Sequence, residues 1–225
     1  QSRSSAASDV YKRQTPDSLT INFYLNKMIQ LGVDYCFMEV SSHGIDQSRT
    51  YGLSFRGGIF TNLTHDHLDY HKTFSAYRDI KKSFLDKLPK SAVALINFDD
   101  TNANYITQNT LAMIYSYALN SSADYTAQIL EKQLSGQLLK ISDLEIWVKL
   151  IGKFNAYNLT AIYGCARILG LESKEVLKII SNLESVEGRF EFFVSKSKIT
   201  VIVDYAHTPD LSLIHISEPT RPRLI

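Results

Sequence analysis

The stretch GGIFTNLTHDHLDYHKTFSAYRDIKKSFLDKLPKSAVALINFDD, residues 57–100, decides the class of fold. It opens with a short apolar run (57–63), continues as an amphipathic segment (73–88) and closes with a second apolar run (91–100). Short apolar runs predict strands buried on both faces, and the amphipathic segment between them predicts a helix. Strands that alternate with helices favour a mainly parallel α/β sheet.

The flanking sequence extends this pattern. Residues 15–32 predict a helix, because Pro16 suits its first turn, Asp17 favours the positive end of its dipole and Gly32 ends it. The apolar run 34–40 predicts another buried strand. Short alternating runs between about 112 and 151 predict antiparallel strands, which two further helices follow. We therefore expect a mainly parallel sheet flanked by helices, with a small antiparallel sheet beside it.

Composition argues against several functional classes. The 225 residues are 44% hydrophobic, carry a net charge of +1 and contain no basic run, so we expect no nucleic-acid partner. No segment approaches the roughly 20 apolar residues of a membrane span, so we expect no membrane insertion. Cys36 and Cys165 both lie in apolar stretches, which predicts buried free thiols and a reducing compartment.

Polar residues adjoin two of the predicted strands, at the edge where open α/β sheets bind ligands. Glu39 lies in the apolar run 34–40, where a carboxylate is costly unless it is paired or reaches solvent. Three histidines and two aspartates follow the strand at 57–63 and predict a metal or phosphate site: His65, Asp66, His67, Asp69 and His71.

Lys81 is a further candidate. At about 100° per residue it falls within the apolar stripe of the helix at 73–88, whereas Lys82 falls off it. A lysine on a buried face tends to lose its proton, and a neutral amine can act as a nucleophile, including towards carbon dioxide. The alternative is a lysine that extends along the helix edge to solvent.

A metal-dependent hydrolase is one alternative reading of the histidine loop. Such an enzyme would use the spacing His-x-His-x-Asp-His. This sequence supplies His65, His67 and Asp69, but the last histidine is His71, one residue late. Because a single-residue slip redirects a side chain in a tight metal loop, the hydrolase is the weaker hypothesis.

Six motifs resemble the Mur ligase family, in family order over about residues 15–210. They are MEVSSHGIDQSR (38–49), TNLTHDHLDYH (61–71), YRDIK (77–81), GKFNAYNLTAI (152–162), EGRFE (187–191) and VIVDYAHTPD (201–210). The resemblance implies a P-loop-NTPase-like central domain at 15–188 and the start of a C-terminal domain at 189–210. Residues 1–14 and 211–225 resemble translated sequencing adapters, so we expect both to be non-native and the natural protein to extend further in both directions.

The resemblance also implies a reaction. ATP phosphorylates the carboxylate of UDP-N-acetylmuramoyl-L-alanyl-D-glutamate, and the amino group of lysine or meso-diaminopimelate displaces phosphate from the acyl phosphate. Glu39 and His67 would bind Mg²⁺, and Lys81, as a carbamate, would help to hold a second Mg²⁺. The enzyme would be a cytoplasmic, monomeric ligase of peptidoglycan and cell-wall synthesis, with the UDP-N-acetylmuramoyl dipeptide, ATP and an amino acid as its partners.

Further positions carry over from the same motifs. The residues implied to contact the UDP-sugar peptide are Thr15, Ser41, Gln47 and Arg49. The residues implied to lie near the nucleotide are Asn155, Arg189, Asp204 and His207.

One feature of the family is absent from the sequence. No Gly-x-x-x-x-Gly-Lys-[Ser/Thr] phosphate loop occurs, since Gly152-Lys153 is followed by Phe154. We therefore expect this chain alone to be inactive. A non-catalytic binding domain of the same fold is a second alternative.

Overall fold

The structure is a computed structural model that describes residues 15–133, 135–186, 191–194 and 200–203. Its helices are α1 (Ser18–Gln30), α2 (Ser42–Asp46), α3 (Leu68–His71), α4 (Phe74–Asp86), α5 (Ala103–Ile106), α6 (Lys153–Ile168) and α7 (Ser173–Ser181). Its strands are β1 (Gly57–Phe60), β2 (Val93–Asn97), β3 (Met113–Ala118), β4 (Tyr125–Gln133), β5 (Gly136–Ile141), β6 (Leu144–Val148), β7 (Glu191–Val194) and β8 (Thr200–Val203). None of the described helices is long and apolar enough to cross a membrane.

Strands β1 to β6 form one mixed sheet in chain order, and β7 pairs with β8. β1, β2, β3 and β4 are mutually parallel, whereas β4, β5 and β6 are antiparallel, which confirms the predicted mixture. The expectation of antiparallel strands over residues 112–151 was wrong at β3, which runs parallel to β2. The connection that contains α5 returns the chain to the end of the sheet at which β2 begins. The ladder between β3 and β4 joins only two residue pairs, Tyr117 with Tyr125 and Ala118 with Thr126.

The chain divides into two units. The helical unit takes in the described residues up to Arg56, together with His67–Ala92 and Tyr105–Ala112, and it contains α1 to α4. The sheet unit takes in Gly57–Asp66, Val93–Asn104 and the described residues from Met113 onward.

In the sheet unit, α6 packs on β2, β3 and β4, and α7 packs on β6 and on α6. The main core consists of buried apolar side chains from these elements: Ala127, Leu139, Ile141, Val148, Ala156, Leu159, Tyr163, Val176, Leu177 and Ile180. Gly164 lets α6 approach the strands closely, because a Cβ there would lie 2.8 Å from Cδ2 of Tyr125.

In the helical unit, α2 and α3 pack against α4. Asp17 is the N-cap of α1 and accepts a hydrogen bond from the Thr20 backbone N–H, while Gly32, at φ +70°, follows its end. Thr73 caps α4 through the Ala76 N–H. The helices predicted at 15–32 and 73–88 are therefore present, each a few residues shorter than expected.

Residues 34–40 differ from the prediction. They form no strand with any part of the described chain, and Tyr35 and Phe37 are 58% and 71% exposed. An extended run becomes a strand only when a neighbour supplies ladder hydrogen bonds, and an apolar composition cannot reveal whether that neighbour is present. Cys36 is exposed and Cys165 half-buried, which corrects the prediction of two buried thiols, although both are unpaired.

Candidate active site

Thr15 organises the backbone around Glu39 and Ser41 in the helical unit. Its fully buried hydroxyl donates to the Glu39 carbonyl at 2.9 Å, accepts from the Ser41 N–H at 2.8 Å and lies 3.0 Å from the Ser41 hydroxyl. Ser41 in turn caps α2 by accepting from the Gly44 N–H. A Cβ on Gly44 would lie 2.8 Å from Cβ of Thr15, so only glycine permits this approach.

Arg49 completes the group that the sequence predicts for the substrate. Its Nε and Nη2 donate to Oε1 of Gln47 at 3.1 and 2.5 Å, and its Nη1 donates to the Thr15 carbonyl at 2.7 Å. A guanidinium has five N–H groups, so two remain for an anion. The structure thus brings Thr15, Ser41, Gln47 and Arg49 together, with the hydroxyl of Thr15 already engaged by the protein.

His67 has an unusual backbone conformation. Its φ of +56° lies in the left-handed region, and it precedes α3 without a side-chain capping bond. Its ring packs edge-on against His43, with centroids 5.0 Å apart, and against Tyr77, with centroids 5.9 Å apart. The histidine loop is therefore held against both α2 and α4.

The other histidines of the loop have different environments. His71 is buried, its Nε2 lies 2.9 Å from the Ser42 hydroxyl, and burial lowers its pKa. His65 is exposed. His43, on α2, contacts the rings of His67, Tyr70 and His71, and burial followed by the charge of His67 lowers its pKa. His71 therefore fastens the loop to α2 through Ser42.

The apolar stripe predicts that Lys81 is more buried than Lys82, and the structure shows the reverse. Lys82 is the buried lysine, and its Nζ donates to both carboxylate oxygens of Asp86 at 2.7 Å. Lys81 is only half-buried, and its Nζ donates to the Val40 carbonyl at 3.4 Å. The stripe failed here because α4 is covered on more than one side, and Asp86, one turn on, compensates the buried ammonium.

The predicted metal ligands occupy adjoining positions in the helical unit. Lys81 contacts the residue after Glu39, and His67 contacts Tyr77, one turn before Lys81 on α4. Glu39 itself is exposed. A carboxylate, together with a carbamate if Lys81 carries one, offers the oxygen donors that Mg²⁺ prefers, so this donor set fits the ion.

The hydrolase alternative requires a metal site in the histidine loop. Within the described residues, no group of three or more His, Cys, Asp or Glu side chains is arranged to hold a metal ion. His71, which the His65/His67/Asp69/His71 site requires, is turned to Ser42 instead.

Asn155 lies in the first turn of α6, in the sheet unit. Its Nδ2 donates to the Ile151 carbonyl at 2.8 Å, while the buried Gln137 donates to the carbonyls of Leu150 and Gly152. Two amides thus fix the turn that leads into α6. The other predicted nucleotide residues, Arg189, Asp204 and His207, lie outside the described residues.

Asp99 anchors a second network in the sheet unit. Its Oδ2 accepts from the N–H groups of Leu119 and Asn120 and from the Tyr157 hydroxyl at 2.8–2.9 Å. Burial raises the pKa of Asp99, but these bonds and one from Ser121 outweigh burial and lower it to about 2. The sequence analysis assigns no role to Asp99, which lies near the end of the apolar run 91–100.

Comparison with known proteins assigns the family. Residues 4–166 match the Mur ligase middle domain, which is more than half of the chain. The chain therefore belongs to the Mur ligase family.

Two curated relatives carry the same name, UDP-N-acetylmuramoyl-L-alanyl-D-glutamate--2,6-diaminopimelate ligase. The chain is 52% identical to the one from Phocaeicola vulgatus over 196 residues, which cover 87% of this chain and 40% of the relative. It is 36% identical to the one from Bacillus cereus over 209 residues, which cover 88% and 43%. The chain spans about two fifths of the length of these relatives.

Solved structures agree with this assignment. A structure of a ligase of the same name matches with a TM-score of 0.75 and 29% identity, over 87% of this chain and 42% of that one. MurF ligase from Thermotoga maritima in complex with ADP matches with a TM-score of 0.65 and 16% identity, over 73% and 39%, and shows the fold alone.

Proposed function

We propose that this chain is the central part of an ATP-dependent amide ligase of peptidoglycan synthesis. The enzyme joins 2,6-diaminopimelate to UDP-N-acetylmuramoyl-L-alanyl-D-glutamate, the reaction that the names of its relatives describe. One observation carries the proposal: the Thr15–Ser41–Arg49 group and the contact of Lys81 with Val40 adjoin the same short segment around Glu39.

Recognition of the sugar peptide rests on Arg49. A guanidinium held at three N–H groups by Gln47 and Thr15 is fixed in orientation, and its two remaining N–H groups can grip a carboxylate or phosphate. Ser41 and Gln47 add hydroxyl and amide groups beside it. Thr15 acts mainly by holding the backbone of Glu39 and Ser41, because its own hydroxyl is engaged.

Glu39, His67 and Lys81 as a carbamate would hold Mg²⁺. When bound, Mg²⁺ neutralises the charge that gathers as a carboxylate meets the γ-phosphate. The carbamate forms when the neutral amine of Lys81 attacks carbon dioxide and loses a proton. The amine of Lys81 already donates to the carbonyl of Val40, the residue that follows Glu39.

Asn155 would contact the nucleotide, together with Arg189, Asp204 and His207. The amide oxygen of Asn155 remains an acceptor while its nitrogen is fixed on Ile151. The enzyme would act in the cytoplasm as a monomer, with ATP, the amino acid and the UDP-sugar dipeptide as its partners and no nucleic acid.

Replacing Lys81 by alanine in the full-length ligase tests the proposal. We expect K81A to lose most ATP-dependent amide formation, by about a hundredfold or more, because an oxygen donor to the metal is lost. Short carboxylic acids such as acetate should restore part of the activity by occupying the place of the carbamate.

The exposed Lys87, at the end of α4, provides a matched control. K87A should retain wild-type activity. Full activity of K81A would show that the reaction does not need a carbamate at Lys81. Absence of amide formation by the unmodified full-length protein would instead indicate a binding domain that has kept the fold without the chemistry.

A further inference from the structure

Tyr70 links α3 to α2 through its hydroxyl. The hydroxyl donates to Oδ2 of Asp46 at 2.7 Å and accepts from Nε2 of Gln47 at 3.3 Å. Its ring also packs against His43, with centroids 4.2 Å apart. Tyr70, which lies three positions after His67, therefore contacts two residues of α2, His43 and Asp46, and the C-cap residue Gln47.

The hydrogen bonds around Gln47 have a defined direction. A side-chain amide has one donor end and one acceptor end. Because Nε2 of Gln47 donates to Tyr70, Oε1 faces Arg49 and accepts from its Nε and Nη2. Asp46 fixes the direction from the other side, since its carboxylate can only accept and so receives the hydrogen bond that the Tyr70 hydroxyl donates.

Loss of the Tyr70 hydroxyl would remove the bond that holds the Nε2 end of Gln47, so that only the Arg49 donors would keep Oε1 in place. The Gln47 amide would then turn over more often, and its NH₂ group would point at the guanidinium, donor against donor. Arg49 would keep its bond to the Thr15 carbonyl but lose the two bonds that fix the plane of its guanidinium. A bidentate grip on an anion depends on that plane.

We propose that Tyr70 is a positioning residue for substrate recognition, which orients Gln47 and, through it, Arg49 towards an anionic group of the sugar peptide. This inference rests on the proposed function. It assigns Tyr70 no contact with the reacting atoms, so its effect should fall on substrate affinity and leave the chemical step unchanged.

The test is Y70F in the full-length ligase. We expect the KM for the UDP-sugar dipeptide to rise about fivefold, the scale of one or two exposed hydrogen bonds, while kcat and the KM for ATP stay within about twofold. Y24F is the matched control, since Tyr24 is half-exposed on α1 and makes no side-chain hydrogen bond within the described residues.

A second background separates positioning from direct contact. In Q47E both side-chain oxygens accept, so Arg49 keeps its partner whichever way the group turns. Adding Y70F to Q47E should therefore leave the KM for the sugar peptide unchanged.

Two results would overturn the inference. One is an unchanged KM in Y70F, and the other is an equal rise in KM with and without Q47E, which would mean that Tyr70 touches the substrate itself. Activity of the unmodified ligase tests the proposed function separately, because it does not depend on Tyr70.

Discussion

His67 combines an unfavourable backbone with a predicted role as a metal ligand. A non-glycine residue at φ +56° carries a cost of the order of 1 kcal/mol, which persists only where the surroundings enforce it. Here the ring contacts with His43 and Tyr77 and the docking of His71 on Ser42 supply that enforcement. This backbone conformation positions the imidazole of His67 at the start of α3.

Substituting His67 separates strain from chemistry. H67G should be more stable than H67A by about 1 kcal/mol, because glycine adopts this backbone freely, whereas both variants should lose ligase activity in the full-length protein. Urea unfolding and amide formation measure the two effects. Equal stabilities of the two variants would show that the backbone at His67 carries no strain.

Asp99 should make stability depend on acid pH. Its folded pKa, about 2, lies below the ordinary 3.8, so the folded state favours the carboxylate. The stabilisation is fully present above pH 4 and is lost as the pH falls towards 2. The difference in unfolding free energy between wild type and D99N should therefore shrink over that window in urea titrations, and a constant difference would contradict it.

The sequence predicts which segments adjoin one another better than it predicts the contacts of their side chains. Glu39, His67 and Lys81 stand out by residue type and family motif, and their segments do adjoin one another. Which lysine is buried, and that His71 faces Ser42, depends on how neighbouring elements cover α4 and α3, which helical periodicity does not encode. His43, Asp46 and Tyr70 lie within the quoted motifs, yet only the fold shows that they meet.

At the scale of elements, α6 is held close to the sheet by Gly164. Alanine in a helix interior is normally more stable than glycine by about 1 kcal/mol. At this position a Cβ would approach Cδ2 of Tyr125 to 2.8 Å and Cδ1 of Leu95 to 3.4 Å. The free-energy cost of this overpacking should therefore exceed the gain in helix propensity from glycine to alanine.

We therefore expect G164A to destabilise the chain by about 1–2 kcal/mol in urea unfolding. In a Y125A background the ring is gone, and the same substitution should be neutral or stabilising. A stabilising effect in the wild-type background would mean that α6 can move away from β4 without loss.

Element prediction succeeded where local signals are complete. Asp17 and Gly32 delimit α1, and the alternating runs gave β4, β5 and β6. It failed at residues 34–40 and for the direction of β3, because both depend on which strand lies alongside. Strand pairing is a property of the assembled sheet, and composition carries little information about it.

For the whole molecule, we predict that this chain alone does not catalyse ligation. Its 225 residues contain no Gly-x-x-x-x-Gly-Lys-[Ser/Thr] pattern to hold the phosphates of ATP. Amide formation and phosphate release should be absent for the chain and present for the full-length ligase, assayed side by side with the same substrates. ATP-dependent ligation by the chain would refute this.

Only two residue pairs join β3 and β4, so few ladder hydrogen bonds connect the antiparallel strands to the parallel ones. α6 packs across the junction of β3 and β4, because it contacts β2 and β3 as well as β4. A peptide tag inserted at the tight turn of Ser142 and Asp143, between β5 and β6, would thus be tolerated without bending the parallel strands. The turn is therefore a suitable position for a fluorescent reporter.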